Sequence, residues 1–441
     1  MSPVSESLHL VKPLRMRWVM VGLAFLATVL NYVHRLSFNY LSADGPLREL
    51  IPDDAFGYLG TAFFVAYMIS NAVSGFVIDR LGTRMGYALC MAFWTTAGLL
   101  HAFVVTPFQF GICRFLLGIG EAGNWPAAIR LTTEWFPPHE RSTASGIFNS
   151  GAALGAIIVP PLVAYLGLRY GWQSTFIILA AFGYLWLLVF WFTYYTPGAK
   201  AEVAKRRIIP PVRLLKTRFV LSFTLSKVFL DPVWYFVTFW LGRYLADVHQ
   251  WNLKQIGWYA IIPFVIADIG NIVGGYFTQF IIQRGVSIPK ARKLAVAISG
   301  IIMGGSLLLA PFVVTTPMSA LIIFGLSGFG FTAYNANSLA FPADVVPKTS
   351  AASVWGLACV GAGLGGAVFQ SLSGRTVKSL SESLDYTTAY NYLFIGYGLL
   401  ALIGVFIVLF VMGPLHRDEA LHAYLASGRD ENKNERDGNE K

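Results

Sequence analysis

The chain has 441 residues, 55% of them hydrophobic and only 13% charged, where an average soluble domain is about 25% charged. Mean hydropathy is +0.58, so the apolar surplus runs along the whole chain. That excludes a soluble enzyme, a secreted disulfide scaffold and a disordered protein.

Residues 1–17 are polar and basic, and the apolar run from Trp18 is too long for the core of a cleavable signal. It predicts a first permanent span. Apolar segments lie at 18–41, 56–78, 85–105, 107–129, 142–168 and 172–195. After a basic, proline-containing stretch they resume at 219–246, 255–283, 292–313, 316–341, 350–376 and 387–413. At about 20 residues per crossing these lengths predict helices, and they exceed barrel strands. The expected fold class is an all-α membrane protein of twelve transmembrane helices. Its parts are a cytoplasmic N-terminus at 1–17, six-helix halves at 18–195 and 219–413, a central cytoplasmic loop at 196–218, and a cytoplasmic tail at 414–441. The end of the tail, SGRDENKNERDGNEK, has nothing apolar to bury and reads as largely disordered.

A net charge of +10 invites a nucleic-acid reading, but placement argues otherwise. With the N-terminus inside, most lysines and arginines fall in the inner loops, the central loop and the tail. The outer loops hold Arg48, Arg169, Arg243, Lys254, Arg375 and Lys378. This bias predicts both termini in the cytoplasm and no nucleic-acid partner. Cys90, Cys113 and Cys359 are far apart inside apolar runs and read as small buried hydrophobes. The halves also repeat. Pro137, Gly146, Gly151, Leu154 and Gly155 fall on Pro347, Gly356, Gly361, Leu364 and Gly365, 210 residues on. Small residues at this spacing let helices approach closely, and a duplicated bundle holds its site between the halves.

Charge at a helix centre costs about 2.5–3.5 kcal/mol on insertion scales, so each intramembrane charge needs a reason. In span one Tyr32 and Arg35 share a face, while His34 points elsewhere. Arg35 offers a planar fork either to a substrate carboxylate or to a carboxylate of the protein. His34 is either a carrier of a coupling proton or a neutral hydrogen-bonded histidine. In span four Arg114 and Glu121 lie two turns apart. A glutamate among glycines and apolar residues suits proton coupling, and the alternative is a buried ion pair with Arg114 or another cation. In span seven Lys227 and Asp231 favour an intrahelical pair. Pro232 is expected to break that helix, leaving Trp234, Tyr235 and Trp240 as an aromatic wall. Asp268 has no sequence-local partner. The histidines show no metal spacing and no nucleophile–base motif stands out, so neither a cofactor nor an enzyme is expected.

Gly75-Phe-Val-Ile-Asp79-Arg80-Leu81-Gly82-Thr83-Arg84 resembles the G-x3-D-R-x-G-x-R/K signature of the major facilitator superfamily. The resemblance implies that fold, with Asp79, Arg80, Arg84 and Arg141 at a cytoplasmic gate. More narrowly, N-Y-x-x-R in span one, RFLLGIGEAGNWPA in span four and EWFPPHERS-x-A-x-GIFNSG after it resemble the anion:cation symporter family of proton-coupled organic-anion carriers. That likeness implies a substrate-carboxylate role for Arg35, with Tyr32 beside it. It implies proton coupling at Glu121, a substrate contact at Tyr67 and polar residues of span five near Asn149; a sugar-acid substrate of that kind would need further groups, and Trp234 with Asn335, Asn337 and Gln370 of the second half are the candidates. Residues 229–245 and the following WNLKQIGWYA resemble its hexuronate-transporting members, which import glucuronate and galacturonate. His34 stands where many relatives carry aspartate, and Gly242-Arg243 stands where Pro-Lys is common. The expectation is therefore a monomeric symporter of hexuronates and protons in the lipid bilayer of a bacterial inner membrane. Symport of another organic anion is the alternative, and an exporter or a non-transporting sensor is a weaker one.

Overall fold

The computed structural model describes residues 14–137, 140–195, 211–346, 351–413 and 415, and all regular structure among them is helical. The first residues of the chain, most of the central loop, Pro347 of the repeat and nearly all of the tail lie outside the described residues. In chain order, α1 (Leu14–Leu41), the short α2 (Pro46–Leu50), α3 (Asp53–Leu81) and α4 (Thr83–Leu100) are followed by α5 (Pro107–Glu121), α6 (Asn124–Trp135) and α7 (Arg141–Thr193). Next come α8 (Pro211–Leu215), α9 (Arg218–His249), α10 (Leu253–Tyr259), α11 (Ile261–Gln283) and α12 (Ile288–Val313). The series ends with α13 (Pro317–Ser338), α14 (Phe341–Val345), α15 (Ala351–Ser383) and α16 (Tyr386–Phe406).

Among the described residues, nine helices are long and apolar enough to cross a membrane. Two differences from the expected segments, together with the third segment (α4, Thr83–Leu100) not being among the nine, explain why that is not twelve. The fifth and sixth segments run together as α7, divided only at Gly171, where φ of 81° takes the backbone out of the helix. A glycine tolerates that conformation without a Cβ penalty. The fourth segment, expected to be continuous, stops at Glu121 and restarts at Asn124. Pro126 has no N–H for the carbonyl of Ala122, so the ladder opens there. A third difference concerns Pro232. The expected break does not occur, and α9 continues through it from Arg218 to His249. The carbonyl of Val228, which Pro232 leaves without its helical donor, faces Gly365.

The chain forms two compact units. One holds the described residues of 1–201 with 239–264 and 370–379. The other holds those of 202–238, 265–369 and 380–441. In the first unit Gly151 and Gly155 of α7 lie against the backbone of α1 at Phe25 and Val29. In the second, Gly361 and Gly365 of α15 lie against α9 at Thr224 and Val228. The glycine repeat thus makes the same helix contact twice, with the contacted residues 199 apart in both cases. A second sign of duplication lies in the helix caps. Thr106-Pro107 with Gln109 caps α5, and Thr316-Pro317 with Ser319 caps α13, 210 residues on, each by a reciprocal capping box.

Candidate functional site

Arg35 lies in the last third of α1, whose apolar run carries it into the first unit. Its Nε donates to Glu121 Oε2 at 2.7 Å and its Nη2 to Asn31 Oδ1 at 3.0 Å. The guanidinium lies over the rings of Tyr67, Tyr32 and Phe63 at 4.9, 5.0 and 5.2 Å. Tyr32 and Tyr67, singled out separately in the sequence, therefore meet at one cation. Arg35, Tyr32 and Tyr67 remain partly accessible.

Glu121 is fully buried at the point where α5 ends. The opening of the helix there is bridged from outside. Asn31 Nδ2 reaches the carbonyl of Glu121 at 3.5 Å, and Ser74 Oγ donates to that of Ala122 at 3.2 Å. Only one carboxylate oxygen of Glu121 is engaged. Oε1 is buried without a hydrogen-bond partner among the described residues, and it is where a proton has room to add. The sequence offered Arg114 or another cation as the partner of Glu121, and the partner is Arg35. Arg114 instead donates from Nη1 to the carbonyl of Arg35 at 3.0 Å and lies over Phe38 and Phe63. Asn124, which sequence reasoning overlooked, joins this region by donating to Thr28 Oγ1 at 3.1 Å and accepting from Tyr87 at 2.8 Å. The polar residue directly before W-P in span four was its available signal.

His34 is buried on another face of α1. A ring nitrogen meets the carbonyl of Leu179 at 3.2 Å, which requires Nε2 to donate, and the opposite edge lies against Gly98. The structure does not bring it to Arg35. Asn149 is exposed on α7.

In the second unit Lys227 Nζ reaches both oxygens of Asp231, at 3.2 and 3.1 Å, the expected intrahelical pair, and lies 4.7 Å from the ring of Trp355. Trp234 is half-buried and stacks on Phe331 at 5.1 Å. The repeat gives that stack a meaning. Trp234 is 199 residues after Arg35 and Phe331 is 210 after Glu121, so the stack stands in the second half where the ion pair stands in the first. Asn335 is half-buried. Asn337 is buried and committed, donating to Gly274 and Ala333 carbonyls at 3.0 and 2.9 Å and accepting from Thr278. Gln370, in the first unit, accepts from Trp240 Nε1 at 2.7 Å. Neither amide stands ready for a ligand in this arrangement.

At the end of the first unit where α1 begins, the signature residues take partners outside the signature. Asp79 pairs with Arg130 at 3.1 Å, and Arg130 also holds Glu134 at 2.9 Å. Arg84 donates to the carbonyl of Trp191, and Arg141 to those of Phe136 and Thr133. Arg80 is exposed. Gly82 turns the chain between α3 and α4 with φ of 83°. Arg130 and Glu134 were missed, although their i, i+4 spacing was visible. At the opposite end, Arg243 is completely buried. It donates to Asp53 Oδ1 at 2.8 Å and to the carbonyl of Ile51 at 2.7 Å, over the ring of Phe56. Arg48 joins Asp53 to Asp247 at 2.8 and 3.1 Å, and Lys378 pairs with Asp54. Several basic residues that run against the charge bias are thus tied to carboxylates.

The profile of the Major Facilitator Superfamily matches residues 16–370. The chain is similar to the Hexuronate transporter of Escherichia coli (strain K12), with 29% identity over 391 residues, 83% of this chain and 89% of that protein. It is also similar to the Probable galactarate/D-glucarate transporter GarP of the same organism, with 26% identity over 448 residues, 92% and 97% of the two chains. In fold it resembles the bacterial homologue of the human lysosomal transporter Spinster, with a TM-score of 0.74, 18% identity, and coverage of 91% of this chain and 97% of that one.

Proposed function

The chain belongs to the Major Facilitator Superfamily and is a multi-pass membrane transport protein, not an enzyme; from that premise we propose that it takes up hexuronates such as glucuronate and galacturonate together with protons, by alternating access. The observation that carries this reading is the buried Arg35–Glu121 pair, with one oxygen of Glu121 left over. A guanidinium ringed by Tyr32, Tyr67 and Phe63 suits a sugar acid, because it binds the carboxylate while aromatic faces cover C–H groups. While ionised, Glu121 competes for that guanidinium. Once protonated it competes less, and the substrate carboxylate takes its place. Binding of the proton thus favours binding of the anion, which is symport.

The energetics agree. An inside-negative potential opposes entry of a monoanion by about 2.3 kcal/mol per 100 mV. One proton per anion makes the step electroneutral, and the pH gradient alone drives it. Glu121 is the coupling residue in this reading, Arg114 supports Arg35 through its carbonyl, and His34 has a packing role. The remaining parts are twelve spans in two six-helix halves, both termini in the cytoplasm of a bacterial inner membrane, and a monomeric unit. Similarity to a galactarate/D-glucarate transporter makes other sugar acids the second reading.

The test is uptake of labelled galacturonate into proteoliposomes. Accumulation is expected when the outside is more acidic, and an imposed potential without a pH gradient should not drive it. No uptake of any hexuronate under either condition would end the reading.

A further inference from the structure

On the first unit an open groove of about 530 Å³ runs between α3 and α5. Ala55, Tyr58 and Ala62 line it from α3, and Phe108, Gly111 and Phe115 from α5. Their spacings of three and four put each set on one face of its helix. Ala55, Ala62 and Gly111 give the groove its depth. A Cβ on Gly111 would stand 3.5 Å from Leu59 Cδ2, in ordinary contact, so the recess exists because the side chain is missing. Tyr58, Phe108 and Phe115 are exposed along it. Tyr58 is the one polar side chain among the described residues that line it.

One end of the groove lies where both helices begin, at Ala55 in the first turn of α3 and at Pro107, the first residue of α5. Residues 370–379 of α15 belong to the same unit. They pack on α3 so closely that a Cβ on Gly374 would lie 2.9 Å from Gly57 Cα. This contact sets Arg375 at the groove's mouth. Its Nε donates to the Tyr58 hydroxyl oxygen at 2.8 Å, and the guanidinium lies 5.3 Å from the centre of the Tyr58 ring. Arg375 is exposed and pairs with no carboxylate among the described residues. The carboxylates nearby are occupied, Asp53 by Arg243 and Arg48 and Asp54 by Lys378. The Arg375–Tyr58 bond uses Nε and a lone pair, so both terminal nitrogens of Arg375 and the Tyr58 hydroxyl proton remain as donors.

We infer that this groove binds an anionic glycerophospholipid of the surrounding bilayer, with one acyl chain along α3 and α5 and the phosphate on Arg375 and Tyr58. A guanidinium presents paired donors that match phosphate oxygens. From Pro107 to Leu116 the lining extends about 14 Å along α5, close to half the roughly 30 Å thickness of the hydrocarbon core. An acyl chain whose headgroup sits at the mouth therefore has a recess of one leaflet's depth to lie in. A zwitterionic headgroup would bring its ammonium toward Arg375 and be repelled, so the site selects for net negative charge.

The test is native mass spectrometry of the full chain in detergent, with equal amounts of phosphatidylglycerol and phosphatidylethanolamine carrying the same acyl chains. The parent protein should retain phosphatidylglycerol over phosphatidylethanolamine by about fivefold, the factor one cationic residue contributes at a membrane surface. Arg375→Gln should bring that ratio close to one. Arg169→Gln, which changes an exposed arginine of the same unit outside the groove, should preserve it. Gly111→Phe puts a ring into the recess and should lower occupancy by both lipids several-fold. Equal retention of the two lipids by the parent, a preference that survives Arg375→Gln, or an equal fall in Arg169→Gln would overturn the assignment. Full occupancy in Gly111→Phe would place the chain elsewhere and overturn it as well, and if that variant does not fold, Ala62→Phe is read in the same way. Inorganic phosphate should not displace the lipid. Displacement would mean that Arg375 binds phosphate without any part played by the groove, which also overturns it.

Discussion

Arg35 makes two directed hydrogen bonds through one planar group, to Glu121 and Asn31, and a lysine cannot make both from one fixed plane. Arg35→Lys should therefore weaken galacturonate binding at least tenfold, about 1.4 kcal/mol, when measured by calorimetry on the purified protein. Unchanged affinity in Arg35→Ala would remove the guanidinium from the binding site. Glu121→Gln mimics the protonated side chain permanently. It should retain binding and counterflow exchange while losing accumulation driven by a pH gradient. If Glu121→Gln still concentrates substrate, the coupling proton travels by another group. Asp79 illustrates the limits of reading residues by motif, since its partner Arg130 lies beyond the signature and the aspartate is largely exposed. Such a pair contributes about 0–1 kcal/mol.

At the scale of helices, contacts are set by glycines on one element meeting carbonyls on another. A Cβ on Gly155 of α7 would lie 2.8 Å from Tyr32 Cβ and 3.0 Å from the carbonyl oxygen of Val29. The second of these is backbone and cannot rotate away. Gly155→Val should destabilise the protein by about 1–3 kcal/mol and also disturb Tyr32. Gly146, on the same helix, has nothing within 4 Å of a Cβ, so Gly146→Ala should be neutral or mildly stabilising. Thermal unfolding in detergent distinguishes the two, and equal melting temperatures would mean that the α1–α7 contact is less tight than described. The opening between α5 and α6 belongs to this scale too. Pro126 removes one helical bond, and side chains of α1 and α3 supply hydrogen bonds to the freed carbonyls, which holds Glu121 at an interrupted helix end.

Across the whole molecule, ion pairs join segments remote in sequence. Arg243 near the end of α9 is buried against Asp53 at the start of α3, 190 residues away. This cluster holds residues 239–264 in the first unit with the N-terminal helices. Removing one partner of a buried pair leaves the other uncompensated, at a cost of about 3–5 kcal/mol. Asp53→Ala, which takes the Asp53 carboxylate away from the buried Arg243, should be the more damaging change. Arg243→Met should cost less, because Asp53 keeps Arg48 at 2.8 Å. Melting temperatures of the two variants check the order, and the reverse order would mean that Arg48 does not support Asp53.

The sequence by itself determined where most helices lie, because apolar runs of bilayer length are local and additive in hydropathy. It also singled out the charges that need explaining, because a charge inside such a run is anomalous wherever the helix packs. The Lys227–Asp231 pair was legible for the same reason, both residues being on one helix one turn apart. Only the tertiary structure decided that Glu121 takes Arg35 rather than Arg114, that Asn337 and Gln370 are engaged by other side chains, that Asp79 finds Arg130, and that Arg243 closes on Asp53. Helical periodicity fixes which residues of one helix share a face. The partner each face meets depends on the rotation and approach of neighbouring helices, which are set by glycine contacts and proline openings acting together across distant segments.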